Sequence, residues 1–383
     1  MTELVERGHT PAALAVAPSP FPDARLAGDA LFVGDGFAGQ EAIAGTVIET
    51  TFGCGPAWAD RVVAALGPGE RALVALPFHP DAAGVAHRIA AVPASGPAAR
   101  RPFPTSHRVS ERPSREQYAD RVRVALDRIA AGGLDKVVLG RSLEVVSDPP
   151  LDAGAIVARL LADRPGRYVF RVPLTADPRG PMLIGASPEL LVGRRGRLVR
   201  SLPLAGSAAR SDDPREDAAR VRTLLGSVKD LAEHAFVVDA ILTALAGVCD
   251  DVAADARPEP VSTDTLHHLG SRVTGTLASG STASALHLAQ LLQPTPAVGG
   301  VSTAAALRVI AELEEDRGPL TGAVGWVDAA GDGEFAVAIR AGVLDGDHLR
   351  LYAGAGIVAG SDPEAEVHET GAKLATMMKA VGL

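Results

Sequence analysis

The sequence predicts an α+β fold, with helices packed on the outer faces of antiparallel sheets. Three observations predict it. Neighbouring strand-like runs are joined by tight turns, as in LLVGRRGRLVR with its Arg-Gly turn, and short turns of this kind join antiparallel strands. The helical segments arrive in groups rather than alternating one-for-one with strands. Finally, the glycine-rich run GAGIVAG (354–360) is followed by too little chain to build a second βαβ strand, so it is not a dinucleotide loop. A glycine-rich strand end approaching a ligand is the better account of that run.

The elements follow in order. The first ninety or so residues are Ala/Gly-rich and contain short strand-like runs such as TVIETTF and RALVALPF. The segment PASGPAARRPFPTSHRVSERPS (93–114) is rich in Pro, Ser and Arg and reads as a connector. Residues 1–112 are therefore taken as an amino-terminal portion of the fold, and 113–383 as the part carrying chemistry. Ser114 and Gln117 form a capping-box pattern opening REQYADRVRVALDRIAAGG, which stops at its glycines. KVVLGRSLEVV and RYVFRVPL read as strands. FAVAIRAGVLDGDHLRLYAG reads as a hairpin turned by Asp345-Gly346. Helices are expected over about 213–246 (broken), 283–292 and 303–316. A last helix follows Ser361-Asp362-Pro363, with Ser or Asp as cap and Pro in the first turn.

Composition excludes several classes. With 47% hydrophobic and 22% charged residues the chain is an ordinary globular protein. A net charge of −9 argues against nucleic acid as a main partner, because phosphate binding needs a basic footprint. No apolar run approaches the roughly 18 residues a membrane span requires. The start, MTELVERGHTPAALAVAPSP, carries acids early and has no basic n-region, so no signal peptide is read. Cys54 and Cys249 are far apart and lack metal-ligand spacing, which suits reduced core thiols in a cytoplasmic protein.

Two charged stretches stand out. KDLAEHAFVVDAI (229–241) sets Asp230 and Glu233 at the head of an apolar helical run, and EAEVHETGAK (364–373) places Glu366, Glu369 and Lys373 on one helical stripe. Taken singly, each reads as a solvated helix face. Turned toward each other, they would make a cage of up to four carboxylates.

Nine stretches in order decide that they belong together: LDKVVLGR, GASPELLVGRRG, LPLAGSAAR, KDLAEHAFVVD, HHLGSRVTG, QPTPAVGG, RGPLTGAVGW, GDGEFAVAIR and AGAGIVAGSDPEAEVHETGAK. Together they resemble the chorismate-utilising enzymes, a family that includes anthranilate, aminodeoxychorismate, isochorismate and salicylate synthases. The resemblance is strong over about 113–383 and weak before it. It implies one large α+β domain with two layers of antiparallel sheet between helices. It also implies Mg²⁺ held by Glu233 and Glu369, with Asp230 and Glu366 as outer or alternate ligands. The substrate, chorismate, is a dicarboxylate that an acid-lined pocket would repel; a bound cation reverses the local sign. By the same resemblance Arg340 offers a planar fork to the enolpyruvyl carboxylate, Lys373 adds charge near the metal end, and His268 orients a group in the pocket. Gly206 and Ser207 of LAGS, Ala297 of PTPAVGG and Gly354 of GAGIVAG complete the implied substrate pocket.

Within the family, Lys136 resembles the lysine that deprotonates the attacking water in isochorismate and salicylate synthases; ammonia-using anthranilate synthases carry glutamine there. Read by itself it is an exposed strand lysine. A free lysine is neutral about once in 2,500 molecules at pH 7, so base catalysis requires burial or a nearby cation. Glu189 resembles the general acid that protonates the departing C4 hydroxyl, and such an acid needs a raised pKa. Ala205 stands where aminodeoxychorismate synthases resemble PIKG, and its methyl cannot be the covalent nucleophile. Ala297 stands where anthranilate and salicylate synthases carry threonine, and resembles isochorismate synthases. The resemblance therefore implies isochorismate synthesis with water as nucleophile and no amidotransferase partner. A salicylate synthase that goes on to eliminate pyruvate is the alternative within the family, and a catalytically silent chorismate- or metal-binding relative the alternative outside catalysis. Gly140, Gln293 and Ser302 depart from the alanine, histidine and proline usual at their positions; Gly140 is expected to loosen its strand by up to about 1 kcal/mol.

Overall fold

The computed structural model describes residues 28–37, 40–91, 106–163 and 168–383. The amino-terminal stretch read for a targeting signal, and residues 93–105 of the connector, lie outside them. Every strand pairing within the described residues is antiparallel. Seventeen strands join in one network, and Leu204–Ala209, Leu266–Gly270 and Glu259–Ser262 form a separate small sheet. Strands from before residue 112 pair directly with later ones: Leu31 lies opposite Arg171, Leu73 opposite Trp326, and Val109 opposite Val145.

Period-two alternation divides the large network into two layers. In Ala30–Gly34, Ala30 and Phe32 enter an apolar core between the layers, while Leu31 and Val33 face a second core. That second core is closed by helices α3 (Ala153–Asp163) and α8 (Pro363–Val381). In Arg71–Leu76, Leu73 and Ala75 point into the inter-layer core, and Ala72, Val74 and Leu76 point outward. Outward of them pack α1 (Pro56–Ala64), α2 (Arg115–Ala130), α5 (Val228–Ala246), α6 (Ala285–Leu292) and α7 (Thr303–Leu313). The order is helix, sheet, sheet, helix, as the sequence predicts.

Local chemistry sets the helix ends near the site. Ser114 and Gln117 make the capping box reciprocally. Helix α4 (Pro214–Gly226) ends at Ser227, whose hydroxyl accepts from Asp230 N–H and so opens α5; this is the break expected in 213–246. Asp362 caps α8 ahead of Pro363.

Two expectations need correction. FAVAIRAGVLDGDHLRLYAG is not one hairpin. Gly333–Val337 pairs with Ala323–Asp328 and Leu190–Arg195, whereas Ala341–Asp345 pairs with His348–Val358 around Asp345-Gly346. The chain breaks between them because Arg340 takes φ 50°, which no strand accommodates. Helix α7 stops at Leu313 rather than 316, since Glu314 leaves the helix to accept the Gly140 N–H.

Candidate active site

One polar cavity is lined by Glu189, Gly206, Ser207, Asp230, Glu233, His268, Ala297, Arg340, Gly354, Glu369 and Lys373. Eleven of the thirteen residues implied by the resemblance thus meet at one place. Lys136 joins through its ion pair with Glu233, Nζ to Oε1 at 2.9 Å. Its side chain is 0% exposed, so the surface-lysine reading is wrong: Lys136 is buried at the start of the strand Lys136–Asp148. Glu366 is the exception. It is buried on α8, 3.5 Å from Lys229 Nζ, and does not line the cavity. The four-carboxylate cage is therefore a three-carboxylate wall with Glu366 behind it.

At this acidic end each internal ammonium is already paired. Lys373 donates to Glu369 Oε1 at 2.5 Å and to the Gly354 carbonyl at 2.9 Å. Burial works to raise the Glu233 carboxyl, but Lys136 beside it overrides this and holds it below its ordinary value. Asp230 is pushed above its ordinary value by burial and then by the charge of Glu233. Close approach is enforced by glycines: a Cβ at Gly356 would lie 2.5 Å from Glu233 Oε1, and one at Gly206, where φ is 71°, 3.0 Å from Asp230 Cβ.

The opposite end is built on a guanidinium. Arg340 is buried and forms no ion pair among the described residues. Its Nη2 donates to His268 Nε2 at 3.2 Å, which makes Nδ1 the protonated nitrogen, donating toward Gly206 O at 3.2 Å and Ser207 Oγ at 3.0 Å. Burial, then the charges of Arg340 and Lys373, hold His268 well below its ordinary pKa, so the ring is neutral. Burial also lowers Arg340 to about 10, against the pull of Glu369 and Glu189.

Glu189 sits between the two ends, after the strand Met182–Ser187, with Leu204 N–H donating to its Oε1 at 3.5 Å. Burial raises its carboxyl to about 7, outweighing that bond and the charges of Arg340, Lys136 and Lys373. A carboxyl half-protonated at neutral pH is a competent proton donor.

The family model described as chorismate binding enzyme matches residues 84–382. The isochorismate synthase DhbC of Bacillus subtilis is 46% identical over 276 residues, 71% of this chain and 69% of that protein. The isochorismate synthase EntC of Escherichia coli K12 is 42% identical over 272 residues, 71% of this chain and 68% of that one. Among solved structures, DhbC from Bacillus anthracis superposes with a TM-score of 0.85 at 36% identity, covering 94% of this chain and 97% of that one. The chain belongs to the chorismate-binding enzyme family.

Family membership directs attention to cavity residues that sequence reasoning passed over: Lys229, Thr321, Tyr352 and Gly356. Lys229 and Thr321 lie inside motifs already quoted, so position alone was available as a signal. Thr321 carries a second one, φ 63° in a β-branched residue, but only coordinates reveal that. The hydroxyls of Thr321 and Ser207 line the cavity, although position 297 offers none. Both are occupied: Thr321 Oγ1 donates to Leu320 O at 2.6 Å, and Ser207 Oγ meets His268. Gly140 also needs correction. A Cβ there would lie 2.1 Å from Tyr352 Oη, so the glycine admits the tyrosine rather than merely loosening a strand.

Proposed function

We propose that the protein is an Mg²⁺-dependent isochorismate synthase, converting chorismate to isochorismate. One observation carries the reading: a single cavity holds a buried guanidinium without an ion-pair partner among the described residues, Arg340, together with a wall of three carboxylates. That arrangement suits a dicarboxylate whose enolpyruvyl carboxylate meets Arg340 and whose ring carboxylate needs a cation.

Glu233 and Glu369 would hold that cation, with Asp230 adjacent. The donor set fits: all are hard oxygens, and the charge of Glu233, which adds to burial in raising Asp230, is what a cation would offset. No three His, Cys, Asp or Glu side chains converge into a ready-made cage among the described residues; Mg²⁺ commonly takes one or two carboxylates and keeps waters. Bound there, Mg²⁺ would supply a Lewis acid for the ring carboxylate.

The base role falls to Lys136, which must first give up its ion pair with Glu233 and then takes a proton from water as the water oxygen bonds to C2. The ring double bonds shift, and Glu189 gives its proton to the C4 hydroxyl as it leaves as water. One water enters and one departs, so the product is an isomer of the substrate. Ala205 offers no covalent route, and Ala297 no free hydroxyl for a later elimination. Water needs no amidotransferase subunit. The two cysteines are both free, but Cys54 is exposed and Cys249 half-buried, so neither is the core thiol that the sequence suggests; no helix among the described residues is long and apolar enough to cross a membrane. The product would supply siderophore or menaquinone synthesis.

The test is a time course of protein, chorismate and Mg²⁺ with chromatographic separation of products. Isochorismate should accumulate to an equilibrium with chorismate, approached from either side, with little pyruvate and no anthranilate from ammonium. Salicylate and pyruvate rising together, with isochorismate only transient, would overturn the reading.

A further inference from the structure

The strand that begins at Lys136 is paired along one edge in two places. Gly300–Val301 lies opposite Val137 and Lys136, and Ser106–Arg112 lies opposite Asp148–Ser142. Neither strand covers residues 138–141. There the Val138 N–H still reaches Gly299 O at 2.8 Å, but the Val138 carbonyl accepts from Arg317 Nη2 at 2.8 Å. The next inward group on that edge, Gly140 N–H, donates to Glu314 Oε1 at 2.8 Å. Arg317 and Glu314 are themselves joined by two bonds, at 2.8 and 2.9 Å. A guanidinium therefore donates where a backbone N–H would, and a carboxylate accepts where a backbone carbonyl would. The ion pair completes the ladder in place of a strand.

The same pair reaches the rest of the cavity wall. Arg317 Nη1 donates to Val298 O at 2.8 Å, the residue after Ala297. Tyr352 Oη donates to Glu314 Oε2 at 2.8 Å. The guanidinium lies over the rings of Phe78 and Tyr352, 4.2 and 5.1 Å from their centroids. Val138, Ala297, Val298 and Tyr352 all line the cavity. Arg317 and Glu314 are 1% and 3% exposed. Burying such a pair is a poor source of net stability compared with an apolar filling. What it offers is geometry, since a planar fork holds several acceptors at fixed angles and an ammonium does not.

We propose that Arg317 and Glu314 are positioning residues for the reaction: they hold the lysine strand and the Ala297–Val298 segment in fixed register across the cavity. The rate prediction rests on the isochorismate synthase reading; the exchange prediction does not.

The variant is Arg317→Lys in the full chain, which keeps a positive charge opposite Glu314 but cannot reach Val138 and Val298 together. Amide hydrogen exchange, read by mass spectrometry, reports local opening of each segment. Peptides spanning 136–141 and 296–301 should exchange faster by on the order of tenfold, with Tyr168–Pro173 unchanged. Turnover of chorismate should fall by about 10–10²-fold with KM nearly constant, the scale expected when reacting groups are misplaced by about an ångström. Unchanged exchange in both segments would overturn the proposal. So would faster exchange with undiminished kcat, which would make the pair a structural plug alone. Should Arg317→Lys not fold, Arg317→Met with Glu314→Leu removes both charges together and is judged by the same readings. A parent protein that leaves chorismate untouched would refute the isochorismate reading by itself. Positioning is then decided by exchange in the same peptides, faster exchange keeping it and unchanged exchange overturning it.

Discussion

In the proposed reaction the two ends of the cavity would meet one substrate with opposite preparation. At the Arg340 end the charge has no ion-pair partner among the described residues and its setting is fixed: His268 is neutral, its tautomer set by Gly206 and Ser207, and it accepts from the guanidinium. An anion arriving there displaces nothing from the protein. At the acidic end every carboxylate but one already has a lysine, Glu233 with Lys136 and Glu369 with Lys373. A cation arriving there must compete with those ammonium groups. The difference teaches that the two carboxylates proposed as metal ligands are not equivalent. One partner, Lys136, is wholly buried, and the other pair is partly solvated.

The largest effects should separate these two carboxylates. Glu233→Ala and Glu369→Ala should each abolish turnover, and excess EDTA should do the same to the parent protein. Their stabilities should differ. Removing Glu233 strands a buried ammonium, a change that costs about 3–5 kcal/mol in comparable sites. Removing Glu369 breaks a pair worth about 0–1 kcal/mol. Urea unfolding of both variants checks this, and equal losses would show that Lys136 does not depend on Glu233. Full turnover in EDTA would sink the metal assignment outright.

Between the two ends, Glu189 sets the pH response. Its carboxyl, raised by burial to about 7, must carry a proton to protonate the leaving hydroxyl. The rate should therefore be highest below pH 7 on this limb and fall about tenfold per unit above it. Glu189→Gln should lose about 10²–10⁴ in turnover and lose that limb. The sign for stability is fixed by the same shift. A carboxyl whose folded pKa lies above its unfolded value destabilises the folded state as pH rises from about 4.5 to about 7. At pH 8 the glutamine variant should thus melt higher than the parent, although it is less active. A melting temperature that falls instead would place an unrecognised cation beside Glu189.

Much of this was legible in the sequence because motifs carry it. Helix starts at Ser114 and Asp362 and the break before α5 follow from short local patterns, whereas the convergence of Lys136, Glu189, Glu233, Arg340 and Glu369 was implied only by the resemblance of nine ordered motifs to a family. What was not legible depends on partners distant in the chain. Nothing in KVVLGR says that residues 138–141 lack a neighbouring strand on one edge, or that Glu314 and Arg317 fill the gap 174 and 179 residues later. Gly140 illustrates the limit well. As a local residue it is a weak point in a strand; its reason is Tyr352, brought opposite by the pairing of Lys136–Asp148 with His348–Val358. The strand break at Arg340 is similar, because nothing in the alternation of its neighbours signals a φ of 50°.

The smallest expected effect tests where the acidic end stops. Helical spacing puts Glu366 on the stripe of Glu369, and the family resemblance makes it an outer or alternate ligand, yet it lies behind the cavity wall beside Lys229. Burial, followed by the charge of Glu369, raises its carboxyl above the ordinary range. Such a group acts on the site mainly through its charge, at one remove. Glu366→Gln keeps shape and removes the charge, so it should lower kcat by less than about tenfold and weaken Mg²⁺ by about a few-fold, short of the 10–100-fold scale typical of residues supporting metal ligands. Because the glutamine also relieves repulsion on Glu369, the loss should fall below that range. Titrating activity against Mg²⁺ separates the possibilities. A variant that saturates at near-parental kcat with a modestly higher Mg²⁺ requirement keeps Glu366 outside the coordination shell. Collapse of turnover at all Mg²⁺ concentrations, matching Glu369→Ala, would put Glu366 directly on the metal and require α8 to rotate or shift when the cation binds.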